Sequence, residues 1–157
     1  MEITIRQMTA DDFPILAAWM VETPLWQRYV LTVERAIANF QNALTAADWL
    51  LAADSPNMPV CGFAWADPTG AFERSPYLRL IGVHPSAQGT GVGAALLTAV
   101  EDLALNTRSS SDLFLLTSDF NEDAQRFYKR HGYEQIGAIP DYVVPSITEL
   151  IFRKHLK

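Results

Sequence analysis

Leu78–Glu101 reads LRLIGVHPSAQGTGVGAALLTAVE, and the fold is decided by what lies on either side of its glycines. Before them, Tyr77–Val83 is a short apolar run bounded by Pro76 and Pro85, the pattern of a mostly buried strand. After them, Ala94, Ala95, Leu96, Leu97, Ala99, Val100 and Leu103 combine good helix formers with apolar spacings of three and four. Gln88-Gly89-Thr90-Gly91-Val92-Gly93 therefore joins a strand to a helix. Glycines let the backbone approach a ligand closely, and the first N–H groups of a helix lack partners inside it and carry partial positive charge. Such a turn either suits a phosphate or pyrophosphate or is a plain glycine turn ahead of a helix.

Two nucleotide-binding patterns can be weighed against it. A P-loop requires a lysine to reach the β- and γ-phosphates, and no lysine occurs from Met1 to Tyr128. The dinucleotide fingerprint GxGxxG/A is met by Gly89, Gly91 and Ala94, which keeps a dinucleotide-binding oxidoreductase as an alternative. Its context is wrong, because His84-Pro85-Ser86-Ala87-Gln88 separates Val83 from Gly89 where that fold runs almost directly from strand to glycines.

The stretch VHPSAQGTGVGAALL (Val83–Leu97) resembles the acetyl-CoA loop of the GNAT superfamily of N-acetyltransferases. The pattern [RQ]-x-x-G-x-[GA] is met by Gln88, Gly91 and Gly93. Leu113–Thr117 resembles the next strand of that family, and NEDAQRFYKRHGYEQIG (Asn121–Gly137) its following helix and strand. The match is specific over residues 77 to 137. It implies a GNAT-like α/β fold: a mostly antiparallel sheet of six to seven strands flanked by about four helices. It also implies acetyl-CoA held by Ile81, Val83, the residues Gln88, Gly89, Thr90, Gly91, Val92 and Gly93, and by Asn121 and Tyr128, with an amine as acceptor. A non-catalytic acyl-CoA sensor is the second alternative.

Asn121 is a good N-cap, Glu122 and Asp123 suit the positive end of a helix, and Ala124, Phe127, Tyr128 and His131 share one helical face. Periodicity alone makes Tyr128 a core tyrosine; the resemblance places it near the thioester sulfur and Asn121 near the pantetheine arm. In the reaction implied, a neutral amine attacks the acetyl carbonyl, an oxyanion forms and a thiolate leaves. A backbone N–H near Ile81–Val83 would serve the oxyanion, and Tyr128 the sulfur. Many relatives carry a glutamate on the central strand as base, but Tyr77–Val83 has no carboxylate. Glu73, His84 and Asp119 are the candidates, with proton loss through water beside them.

Length and charge bound the remainder. The 157 residues fit one domain spanning the chain, burying about two-thirds of its unfolded surface. No apolar run reaches membrane-spanning length, no signal peptide is read at the N-terminus, and the lone Cys61 fits a reducing cytoplasm. A net charge of −6 argues against nucleic acid and mildly favours a cationic acceptor. No metal is expected.

In chain order, Glu2–Met8 alternates as a strand and Ala10–Val21 as a helix with Phe13, Leu16, Ala17 and Met20 on one face. Trp26 and Tyr29 come next, either lining an acceptor site or packing beneath a loop. A second helix is expected between Val33 and Ala46. Trp49–Ala53 and Val60–Trp65 read as a hairpin, and Asp67–Pro76 as a loop whose Phe72 and Glu73 border an acceptor pocket. Tyr133–Ile136 and Ile147–His155 close the chain as strands, and exposed strands there would permit a homodimer.

Overall fold

The β-rich runs flanking the Ser55–Met58 turn pair as expected, Trp49–Ser55 (β2) against Met58–Ala71 (β3), in the computed structural model, which describes residues 2–157. The anticipated loop at Asp67–Pro76 is instead mostly strand. Strand β3 continues to Ala71 and Ser75–Val83 (β4) begins four residues on, leaving Phe72, Glu73 and Arg74 as a hairpin tip. Pro68, Gly70 and Pro76 mimic loop punctuation, but an irregular register between Asp67 and Ala71 absorbs them. A Cβ on Gly70 would stand 2.9 Å from that of Tyr77, so the close approach of the two strands needs a glycine there.

Thr4–Gln7 (β1), Asp112–Ser118 (β5), Glu134–Ile139 (β6) and Glu149–His155 (β7) complete a seven-stranded sheet in the order β1-β2-β3-β4-β5-β7-β6. Only the β4–β5 pair is parallel. The expected strand Tyr133–Ile136 extends to Ile139, and the last strand starts at Glu149 rather than Ile147.

Five helices cover the two faces. Phe13–Met20 (α1), the single turn Pro24–Gln27 (α2) and Val33–Thr45 (α3) cover one; Val92–Thr107 (α4) and Glu122–Arg130 (α5) lie on the other. On the first face Phe13, Phe40, Phe63, Trp26 and Trp65 form an aromatic core; on the second Leu96, Leu97 and Val100 of α4 pack with Leu78, Leu113, Leu115, Tyr128 and Phe152. Among the described residues no helix is long and apolar enough to cross a membrane.

Two irregularities of β4 shape the middle of the sheet. Leu78 pairs with Ala66 and Leu80 with Trp65, so Arg79 is an extra residue, a β-bulge. Strand alternation would put Leu78 and Leu80 on the same face; the bulge sends Leu78 to the α4 side and Leu80 to the aromatic side. Pairing with β5 then stops at Tyr77–Phe114 and Leu78–Leu115. Beyond Leu78 the two strands separate.

Gly82 lies where β4 has left β5, and a Cβ there would come within 2.6 Å of both Phe63 and Trp26. Neither aromatic ring is a flexible end. Gly82→Ala should therefore destabilise the protein by about 1–3 kcal/mol through overpacking, lowering the melting temperature by about 2–4 °C for each kcal/mol in a chain of this size. Thermal denaturation followed by circular dichroism checks this; an unchanged midpoint would contradict the packing described.

Candidate active site

Where β4 and β5 part, the sheet opens into a cavity of about 720 Å³ that reaches both of its faces. From the α4 side come Gly93, Asn121, Ala124, Phe127 and Tyr128; from the aromatic side come Trp26, Tyr29 and Trp65; the unpaired edge of β4, Arg79–Val83, forms one wall.

The glycine turn ends at this wall. Gly89 and Gly91 adopt φ of +76° and +92°, a region costly for residues with a Cβ, and Gly91 directly precedes α4. The side chain of Gln88 donates to the carbonyl of Val83 at 3.4 Å and that of Thr90 to the carbonyl of Ala87, tying the turn to the end of β4. The first amide of the stretch with a main-chain acceptor is Ala95, bonded to Gly91 at 3.0 Å. Among the described residues the amides from Gly89 to Ala94 have none, so a cradle of free donors stands at a helix N-terminus, with open space around Gly89. Val92 joins this cradle by its amide alone, since its side chain is buried in the core.

Helix α5 is fixed at both ends. Asn121 Oδ1 accepts from the amide of Ala124 at 3.2 Å, and two first-turn acids face the positive pole of the helix. At the other end Gly132, with φ of +91°, closes a Schellman motif: its amide donates to the carbonyl of Lys129 at 3.1 Å and that of Tyr133 to the carbonyl of Tyr128 at 3.0 Å. The rings of Tyr128 and Tyr133 meet edge to face at 5.8 Å. Tyr128 is thus held inward, 6% exposed, with its hydroxyl on the cavity and free of any protein hydrogen bond among the described residues. Burial raises its pKa well above the ordinary phenol value, so it is a hydrogen-bond donor at neutral pH.

The aromatic side carries a polar cluster that sequence reasoning missed. The hydroxyl of Tyr29 donates to Glu149 Oε2 at 2.7 Å and shares a short hydrogen bond with Ser118 Oγ; Ser118 and Glu149 are both buried. Burial first, and then the Glu149 carboxylate against the opposing Ser118 hydrogen bond, push Tyr29 up to about 12. Tyr77, on β4, is likewise pushed up to about 12, chiefly by burial, with Arg79 acting in the opposite sense.

Of the residues singled out from the sequence, Trp26, Tyr29, Ile81, Val83, Gln88, Gly93, Asn121 and Tyr128 line one cavity. Four do not. Phe72 and Glu73 sit on the hairpin tip, Phe72 84% exposed and edge-on to Phe114, because the expected loop is strand. His84 lies off the cavity wall: its Nδ1 accepts from the amide of Ser86 at 3.1 Å and its ring packs edge-on against Trp19 at 5.5 Å. Asp119, the third base candidate, also lies outside, its Oδ2 accepting from the amide of Thr148 at 3.4 Å.

The Acetyltransferase (GNAT) family model matches residues 5–133, most of the chain. The chain belongs to that family. It is 29% identical over 156 residues to the mycothiol acetyltransferase of Renibacterium salmoninarum, across 93% of this chain and 45% of that protein, so it spans less than half the length of that relative. Among solved structures it is similar to the ribosomal-protein-alanine N-acetyltransferase of Brucella melitensis, at a TM-score of 0.79 and 23% identity over 97% of this chain and 99% of that one. It is also similar to a Salmonella typhimurium protein solved with its cofactor acetyl-CoA, at a TM-score of 0.74 and 16% identity over 99% and 94% of the two chains. These likenesses show the same fold. A dinucleotide-binding fold is set aside on its own terms, since it needs a mostly parallel sheet and only β4 and β5 run parallel.

The buried phenols offer a direct check. Since the folded-state pKa values of Tyr29 and Tyr77 are raised, both rings should remain un-ionised at about pH 11, where a free tyrosine is about nine-tenths phenolate. Ultraviolet difference titration of Tyr29→Phe and Tyr77→Phe against the parent should show the missing transition near 12. A missing transition at the ordinary value would contradict the enclosed site.

Proposed function

We propose that the chain is an acetyl-CoA-dependent N-acetyltransferase that acylates a primary amine by direct attack within the cavity at the β4–β5 opening. One observation carries this: Gln88 and Gly93 at the two ends of the free-amide turn, the unpaired edge of β4, and Tyr128, whose hydroxyl has no protein partner among the described residues, line a single cavity.

The residues present fit the coenzyme. The amides of Gly89–Gly93 at the start of α4 suit its pyrophosphate, and glycine at 91 adopts its φ of +92° without the strain a Cβ would bring. Asn121 and the apolar ring of Phe127 line the route between cradle and Tyr128. When bound, acetyl-CoA supplies an acetyl group activated as a thioester.

Strand β4 from Arg79 to Val83 has no partner on the β5 side, so its outward amides are free to donate to a carbonyl oxygen that gains charge as the amine attacks. Tyr128 serves the leaving sulfur. Even at ordinary values, about 10 for tyrosine and about 8.5 for a thiol, full proton transfer to a thiolate is uphill by about 2 kcal/mol. Burial of Tyr128 raises that cost, so the residue acts by donating a hydrogen bond rather than by surrendering its proton. With Glu73, His84 and Asp119 away from the cavity, two carboxylates line it: Asp123, exposed and ion-paired with Arg126, and Glu149, buried beside Tyr29, which we assign to the acceptor.

Tyr128→Phe should lower turnover by more than tenfold, about 1.4 kcal/mol or more of transition-state stabilisation, with little change in coenzyme A affinity. Thiol release and calorimetric titration of coenzyme A read the two effects separately; unchanged turnover would remove the role. Gly91→Val should do the reverse of this split, weakening coenzyme A binding because a β-branched residue is strained at φ of +92°. Equal coenzyme A affinity in that variant would contradict the cradle.

A further inference from the structure

Apart from Asp123, which is exposed and ion-paired with Arg126, the charged groups lining the cavity fall into two poles. At the inner pole Glu149 is buried, and only one of its oxygens is used: Oε2 accepts from Tyr29, while no protein donor reaches Oε1 among the described residues. No lysine, arginine or histidine among them forms an ion pair with Glu149. A carboxylate removed from water without a cation is costly, and a bound ammonium is the partner that offsets the cost.

At the outer pole Arg35 and Arg79 line the same cavity, and neither has a carboxylate partner among the described residues. Asn39, one turn after Arg35 on α3, lines it too. The bulge in β4 turns Arg79 to the aromatic side, where its guanidinium stacks over Trp65 at 4.9 Å from the ring centre. Stacking on one ring leaves the N–H fork free for a planar anion. These guanidiniums lie on the sheet face opposite Gly93 and Phe127, away from the cradle offered to the pyrophosphate. Tyr77, two residues before Arg79 on β4, lines the cavity as well.

We infer that the acceptor is a small zwitterion, a primary amine that also carries a carboxylate, with its ammonium received by Glu149 and its carboxylate held by Arg35 and Arg79. This rests on the acetyltransferase reading and narrows its acceptor from any amine to an amino acid or a close analogue. It displaces the cationic acceptor suggested by the overall charge of −6, because two arginines without a carboxylate partner among the described residues, Arg35 and Arg79, line the cavity and a polycation would meet them. Glu149 takes one proton of the ammonium and releases it to solvent. The C–N bond then forms as the thioester C–S bond breaks, and the second proton lost by the nitrogen ends on the thiolate. No oxidation or reduction is involved.

The test is thiol release by the full chain with acetyl-CoA and matched probes: methionine, phenylalanine and 4-aminobutyrate against methioninamide, phenylalaninamide and spermidine. At least one carboxylate-bearing probe should be acetylated with kcat/KM about tenfold or more above its carboxamide or spermidine, the scale expected for a charge-assisted hydrogen-bonded pair. Arg35→Gln and Arg79→Gln, substitutions of exposed side chains, should each raise KM for that probe by about tenfold while leaving kcat, the KM for acetyl-CoA and the rate on the carboxamide within about twofold. Glu149→Gln should lower kcat on carboxylate and carboxamide probes alike. Preference for spermidine or the carboxamides, no transfer to any carboxylate-bearing probe, or arginine variants that do not separate carboxylate from carboxamide would overturn the inference. Calorimetric titration with acetyl-CoA distinguishes the two levels: binding without transfer to the carboxylate probes removes the acceptor class alone, and absence of binding removes the acetyltransferase reading beneath it.

Discussion

The parallel ladder between β4 and β5 ends after Leu78, and the chemistry proposed for this protein depends on that interruption. Buried backbone groups in a continuous sheet bond to a neighbouring strand, so an interior strand normally has nothing to offer a ligand. Here the residues from Arg79 to Val83 are interior by position yet have an edge without a partner, and the gap passes through the sheet. In the proposed function, one cavity then takes a coenzyme from the α4 side and an acceptor from the aromatic side. A cavity confined to either face would hold only one of them.

The bulge at Arg79 and the two ends of α5 determine what faces the gap. The bulge reverses side-chain parity within β4, sending Leu78 to the core beneath α4 and Arg79 with Leu80 to the other side. The Schellman closure at Gly132 fixes the carbonyl of Tyr128 and sets its ring against Tyr133, so the phenol reaches the cavity without being bonded by the protein. Burial and the absence of a partner together leave Tyr128 a donor in waiting. On the acceptor side the same burial makes Tyr29 a donor to Glu149 rather than a competing acid.

What the sequence displayed was whatever depends on near neighbours along the chain. The strand–turn–helix around Gly89–Gly93, the N-cap at Asn121, the apolar face holding Tyr128 and the C′ glycine at 132 are all set within a few residues of themselves. The resemblance to acetyltransferases was carried by those same segments. Contacts made across the sheet were hidden. Tyr29 and Glu149 are 120 positions apart, and Glu149 reads as an ordinary polar start to an apolar strand. The bulge at Arg79 exists only as a mismatch with β3, so nothing in the sequence singled out Arg79 or, on a separate helix, Arg35. His84 drew attention through its intrinsic pKa, but its Nδ1 serves the turn at Ser86 and its ring serves Trp19. Phe72 and Glu73 were placed beside a pocket by a loop that the bulged hairpin β3–β4 replaces.

The gap in the sheet has this role only if the coenzyme lies across it. A crystal structure of the full chain with coenzyme A decides the matter most directly. Its pyrophosphate oxygens should lie within hydrogen-bond distance of the amides of Gly89–Gly93 and its sulfur beside the hydroxyl of Tyr128, with the pantetheine chain along the unpaired edge of β4. A coenzyme seated elsewhere, or one whose sulfur points away from Tyr128, would contradict it.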